Sequence, residues 1–174
     1  ARLAEIDSNL TFHFECDETE EGSQVEMIFG CDGFPESISS VLSLVGAAPT
    51  LEGVQFKAFN PRYDPVPSII TMGDDSCDID DFWFALRDID GALNLEIYMR
   101  DVPTTLEMDP RIEAAMMFID AQIGEYELMT RIHLLDWLEL PDVPEDFGLL
   151  PLSGFRDVFD RMKRQSRPVG IVLH

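Results

Sequence analysis

Two runs of alternating residues, Asp81 to Ile89 and Ala92 to Arg100, meet at Asp90-Gly91. That dipeptide supplies the positive φ values of a two-residue hairpin turn, so the runs fold back antiparallel in a register set by the turn. Centring the turn there places Phe84 opposite Ile97 and Leu86 opposite Leu95 on one face. Trp83 then faces Tyr98, and Arg87 faces Asn94, on the other. One side of this hairpin is made for a core, and the other carries rings and charges.

The flanking segments extend the pattern. Leu10, Phe12, Phe14 and Cys16 alternate with Thr11, His13 and Glu15, which predicts a half-buried strand. A polar turn over Asp17 to Ser23 leads to a returning strand, Gln24 to Cys31. Asp32 and Gly33 are placed to cap a helix with Pro35 in its first turn. Its expected stripe is Phe34, Ile38, Val41, Leu42 and Val45, with Ser37, Ser39, Ser40 and Ser43 facing water. Val54 to Phe59 and Ser68 to Met72 read as strands bounded by proline and glycine.

Further on, Asp109 caps, Pro110 opens and Gly124 closes a helix striped by Ile112, Met116, Ile119 and Ile123. Ala115, Met117, Phe118 and Ala121 widen that stripe, so the helix is either central to the core or covered by something else. Arg131 to Leu140 reads as a strand, and a last helix starts near Ser153 with Phe155, Val158, Phe159 and Met162 at helical spacing. The order β-β-α-β-β-β-β-α-β-α predicts one α+β domain over residues 1–174. Its sheet is mixed and largely antiparallel, with about three helices mainly on one face. Residues 164–174 are expected to form a loose basic and apolar tail.

Charge limits the partners. The chain has 34 acidic and 12 basic residues, a formal net charge of -22, and its lysines are Lys57 and Lys163. Five of the basic residues, Arg156, Arg161, Lys163, Arg164 and Arg167, crowd one C-terminal stretch, so the rest is more acidic still. Such a field repels phosphate backbones and anionic lipid heads, which excludes nucleic acid and membrane surfaces as partners of the body. It suits solubility, a salt-adapted cytoplasm or a basic protein partner. No run approaches the roughly 18 apolar residues of a membrane span, and the first residues lack the plan of a signal peptide. Three thiols, Cys16, Cys31 and Cys77, cannot pair completely, which fits a reducing cytoplasm.

Several short motifs follow one another along the chain: Ile6-Asp7 before the first strand, Cys31-Asp32-Gly33 before a helix, Ala47-Ala48-Pro49 and Leu51-Glu52-Gly53. Ala58-Phe59-Asn60-Pro61-Arg62 and Gly124-Glu125-Tyr126 follow. Over roughly residues 5 to 150 this order resembles a family of uncharacterised bacterial α+β domains. In that family a helix precedes the first strand, so the resemblance implies that Ala1 to Ile6 is the end of a truncated helix. With no established activity in the family, it implies a shared fold and carries over no site residues.

Catalytic signals are sparse. Asp74, Asp75, Asp78, Asp80 and Asp81 form the densest acid cluster, but a helix-loop-helix calcium site starting at Asp74 would need glycine where Ile79 stands and glutamate where Ala85 stands. A solvated loop guarding the next strand is the expectation, and no metal or cofactor is assigned. His13, His133 and His174 have no second ligand at zinc spacing. Cys31 at a strand-to-helix junction reads as a buried, inert thiol, since Asp32 opposes any activation by the helix.

The most suggestive constellation is the second face of the Asp90-Gly91 hairpin, where Trp83, Arg87, Glu96, Tyr98 and Arg100 project together. These types are enriched at binding hot spots, and Arg62 at the end of the third strand would be a natural addition. The competing expectation is that helices cover this face and the arginines pair internally with Glu96 or Asp101. Three functions follow. The favoured one is a noncatalytic protein-binding or regulatory module, for example one that neutralises a basic partner. The others are an enzyme with an unfamiliar small-molecule site, and a domain that self-associates through the Asp109 to Ile123 helix.

Overall fold

The computed structural model describes residues 2–19, 22–73, 75–106 and 109–163. The fold class is α+β, with mixed and largely antiparallel sheets and, among the described residues, four α-helices where about three are expected. Where one domain is expected, the chain divides into two compact units, one ending at Asn60 and the other beginning at Pro61. Each has its own sheet, because the strands before Asn60 pair among themselves.

In the first unit, β1 (Thr11–Thr19) and β2 (Gly22–Gly30) form an antiparallel hairpin, and β3 (Val54–Ala58) joins β2 in parallel. The ladder runs to Thr19 paired with Gly22, so strand pairing replaces most of the polar turn expected over 17–23. The crossover between β2 and β3 holds α1 (Ile38–Gly46). Asp32 does not cap it. Asp32 and Gly33 both take positive φ, and a 3-10 turn over Pro35–Ser37 intervenes before the helix begins. Ile38 and Val41 are buried, whereas Phe34 and Leu42 are exposed, because this short helix covers the sheet along a narrow stripe. Ser37, expected in water, is buried and its hydroxyl accepts from Asn9 Nδ2 at 3.1 Å, which removes the cost of desolvating it.

The second unit starts with a small antiparallel pair, β4 (Ile69–Met72) and β5 (Asp75–Asp78). A four-stranded sheet follows, in the order β8-β7-β6-β9, from β6 (Trp83–Ile89), β7 (Ala92–Met99), β8 (Ile132–Glu139) and β9 (Leu150–Pro151). Asp90 at φ 55° and Gly91 at φ 88° make the expected turn, and the Asp88 carboxylate accepts from the Gly91 amide at 2.7 Å. The pairs Phe84 with Ile97, Leu86 with Leu95, Trp83 with Tyr98 and Arg87 with Asn94 form as the turn dictates.

Two helices lie between β7 and β8: α2 (Pro110–Ile123), capped by the Asp109 side chain, and α3 (Glu125–Arg131). Gly124, at φ 83°, ends α2 as expected but redirects the chain into α3, which takes in Arg131 as its last residue. The last helix, α4 (Phe155–Met162), begins two residues later than expected, after a 3-10 turn. The core of this unit sits between the sheet and α2 and α4. Phe84, Leu95, Ile97 and Met99 meet Ala115, Phe118 and Ile119 of α2 and Phe155 and Phe159 of α4. Phe84 and Phe155 pack edge to face at 5.2 Å between centroids. The helix α2 is therefore central to its own unit, which uses most of the stripe that self-association would need and leaves Met117 exposed.

Candidate functional site

The register of the four-stranded sheet fixes what its other face presents. Residues directly opposed in neighbouring strands project to the same side. One row across the sheet is Leu138, Tyr98, Trp83 and Pro151; the next is Asp136, Glu96 and Ala85; a third is Leu134, Asn94 and Arg87. The helices α2 and α4 pack on the opposite face; on this one Arg87, Leu134, Asp136 and Leu138 are exposed and Ala85, Asn94 and Glu96 are half-buried. Leu134 and Leu138 are 47% and 37% exposed, while Trp83 and Tyr98 are half-buried. The expected covering of this face by helices does not occur in α2 or α4.

Internal pairing does occur. Arg87 Nε donates to both Glu96 carboxylate oxygens, at 3.2 and 3.1 Å, and the Tyr98 hydroxyl donates to Glu96 Oε2 at 2.9 Å. Hydrogen bonding to Glu96 raises the Arg87 pKa, and burial followed by Glu96 raises that of Tyr98, so both remain donors at neutral pH. The result is a charge-compensated, pre-ordered Arg-Glu-Tyr cluster beside an aromatic row. That arrangement can accept apolar side chains and exchange hydrogen bonds without first being ordered.

Of this row, Trp83 also lines a cavity of about 450 Å³, together with Arg100, Asp80, Asp81 and Leu140. A neighbouring concavity of about 600 Å³ is lined by Asp75, Ser76, Thr104, Thr105 and Asp109, and the two share Cys77, Asp81 and Arg111. Sequence reasoning missed Arg111, whose partners are the Arg100 and Asp101 carbonyls just after β7 as well as its own cap. It donates to the Asp109 carboxylate, to the Arg100 carbonyl at 2.8 Å and to the Asp101 carbonyl at 2.9 Å, fastening the start of α2 to the end of β7. With its donors so engaged, Arg111 serves architecture rather than anion capture. Burial, aided by Asp81, pushes the Cys77 thiol up, which keeps it protonated and a poor nucleophile.

Of the expected site residues, Trp83, Arg87, Glu96 and Tyr98 share one face, Arg100 lies just past β7 and meets Trp83 only at the cavity, and Arg62 does not join them. Its guanidinium makes two parallel 2.9 Å bonds to Asp160 on α4, donates to the Ile123 carbonyl at 3.1 Å and lies over the Phe159 ring. A carboxylate 98 positions away is not visible along the chain. In the acid cluster, Asp78 accepts from the Asp80 amide and Asp81 accepts from the Asp78 amide, closing a capping box on the turn before β6. Asp74 lies outside the described residues, as do Arg164, Arg167 and His174 with the expected tail. Cys31 is buried. No helix among the described residues is long and apolar enough to cross a membrane. No family model matches the chain, and neither a curated protein nor a solved structure matches it.

Proposed function

We propose that this chain is a noncatalytic protein-binding or regulatory module of a bacterial cytoplasm, and that it docks a basic protein on the outer face of its four-stranded sheet. The observation that carries this reading is the row Leu138, Tyr98, Trp83 and Pro151, aromatic and apolar across all four strands on the side away from α2 and α4. Binding surfaces concentrate their energy in such rings, flanked by charges already held in place. The net charge of -22 adds a field that draws a cationic partner and speeds its arrival.

The test is affinity capture with the wild type, a Trp83→Ala, Arg87→Ala double variant and a Leu134→Ser variant whose change lies at an exposed position. A basic partner should bind the wild type, weaken on going from low to moderate salt, and lose about tenfold or more in affinity to the double variant. Leu134→Ser should weaken it less while leaving the core alone. Retention of the same partners by both variants, or binding indifferent to salt, would sink the proposal.

A further inference from the structure

We infer that the partner is recognised by strand addition to the free edge of β8, and that the added segment is apolar with a basic residue at its centre. This rests on the protein-binding reading above and specifies its mode. Among the described residues β8 pairs with β7 and with no second strand, so the far edge of an eight-residue strand keeps its backbone donors and acceptors without a ladder. Such edges are usually blunted by brevity, proline, charged side chains, a bulge or a covering helix or loop. The opposite edge, β9, is two residues long, whereas β8 has eight residues, no proline or lysine, and two carboxylates, of which Glu139 is held by the Asp101 and Val102 amides. Its irregularity, a register shift beside His133, lies at its start and leaves 134–139 in regular pairing.

The side chains along this edge specify what should lie beside them. On the outer face Leu134 and Leu138, both exposed, flank the exposed Asp136. On the core face Leu135 and Trp137 are half-buried against the hydrophobic cluster. Leu134 and Leu138 are apolar side chains left exposed along this edge strand. A strand laid alongside would set apolar side chains next to Leu134 and Leu138 and a cation next to Asp136, the favourable cross-strand pairing. It would extend the row of Leu138, Tyr98 and Trp83 by one further position. A second copy of this chain fits poorly, because it would bring another charge of -22 to an already acidic edge.

Strand addition is tested by titrating the full chain with a short peptide of alternating valine and threonine around a central lysine, reading amide exchange across the protein. Three comparisons accompany it: a glutamate-centred peptide, the lysine peptide N-methylated along its backbone, and an Asp136→Lys variant of the protein. We expect the lysine peptide to protect β8 amides and to bind about tenfold more tightly than the glutamate peptide. Asp136→Lys should reverse that preference, and N-methylation should abolish protection while retaining every charge. Equal binding of the lysine and glutamate peptides, undiminished binding of the N-methylated one, or unchanged exchange in β8 would each overturn the inference. If the double variant at Trp83 and Arg87 loses its partner while the peptide leaves β8 unprotected, edge addition fails and the docking face stands. If the peptide protects β8 while that variant keeps every partner, the docking face fails alone.

Discussion

The antiparallel hairpins β1-β2 and β6-β7 begin from the same sequence signal and end in different environments. In β7 every second residue is buried, with Leu93, Leu95, Ile97 and Met99 all at 2% exposure or less, and the intervening residues form the outer face. In β1 the alternation is as regular, yet Phe12 and Phe14 are 48% and 57% exposed, held edge to face against each other at 5.7 Å. A period of two states which side chains share a face. Whether that face is covered depends on what packs there. For β6 and β7 the cover is α2 and α4; for β2 and β3 it is the narrow stripe of α1, through Ile38 and Val41.

This comparison breaks most decisively at the centre of β7. Ile97→Ala removes a fully buried side chain from between the sheet and its helices, and the cavity left behind should destabilise the protein by about 2–5 kcal/mol in urea unfolding. A loss below about 1 kcal/mol would mean that the core of this hairpin is as loosely covered as β1.

Next in size is the Arg62 to Asp160 pair, which fastens the start of the second unit to α4. Hydrogen bonding from Arg62 holds the Asp160 pKa below its ordinary 3.8, so the pair's stabilisation is fully present above that value and is lost as pH falls through the lower folded value. Asp160 is 38% exposed, and screening limits the pair to about 1 kcal/mol despite its bidentate geometry. Asp160→Asn should therefore lower the urea midpoint at pH 7, and the gap from wild type should close as pH drops below 3.8. A gap that persists unchanged in acid would show that the carboxylate charge is not what Arg62 holds.

The contrast between hairpins also explains what was legible in advance. The turn at Asp90-Gly91 is a local rule, so the register of β6 with β7 could be read, and with it the grouping of Trp83, Arg87, Glu96 and Tyr98. The caps at Asp109 and Gly124 are local too. What could not be read depends on how the chain folds back on itself: Arg62 reaching Asp160, Arg111 reaching the Arg100 and Asp101 carbonyls after β7, and the partition of strands into separate sheets. The exposure of Phe12 and Phe14 belongs to the same class, since composition alone cannot tell a covered apolar face from an open one.

That point yields the smallest and most discriminating effect. Phe14 lies more than half in solvent, and its ring contact is with Phe12, itself exposed. Phe14→Ala should therefore change stability by less than about 0.5 kcal/mol, as surface substitutions usually do, although the residue is as apolar as any in the core. The same substitution on a covered face of β1 would cost several times more. A loss of about 2 kcal/mol or greater would show that Phe14 is covered in solution, and the difference between the two hairpins would then be one of degree. A negligible loss would place the stabilising alternation in the second unit and leave the aromatic alternation of β1 as surface.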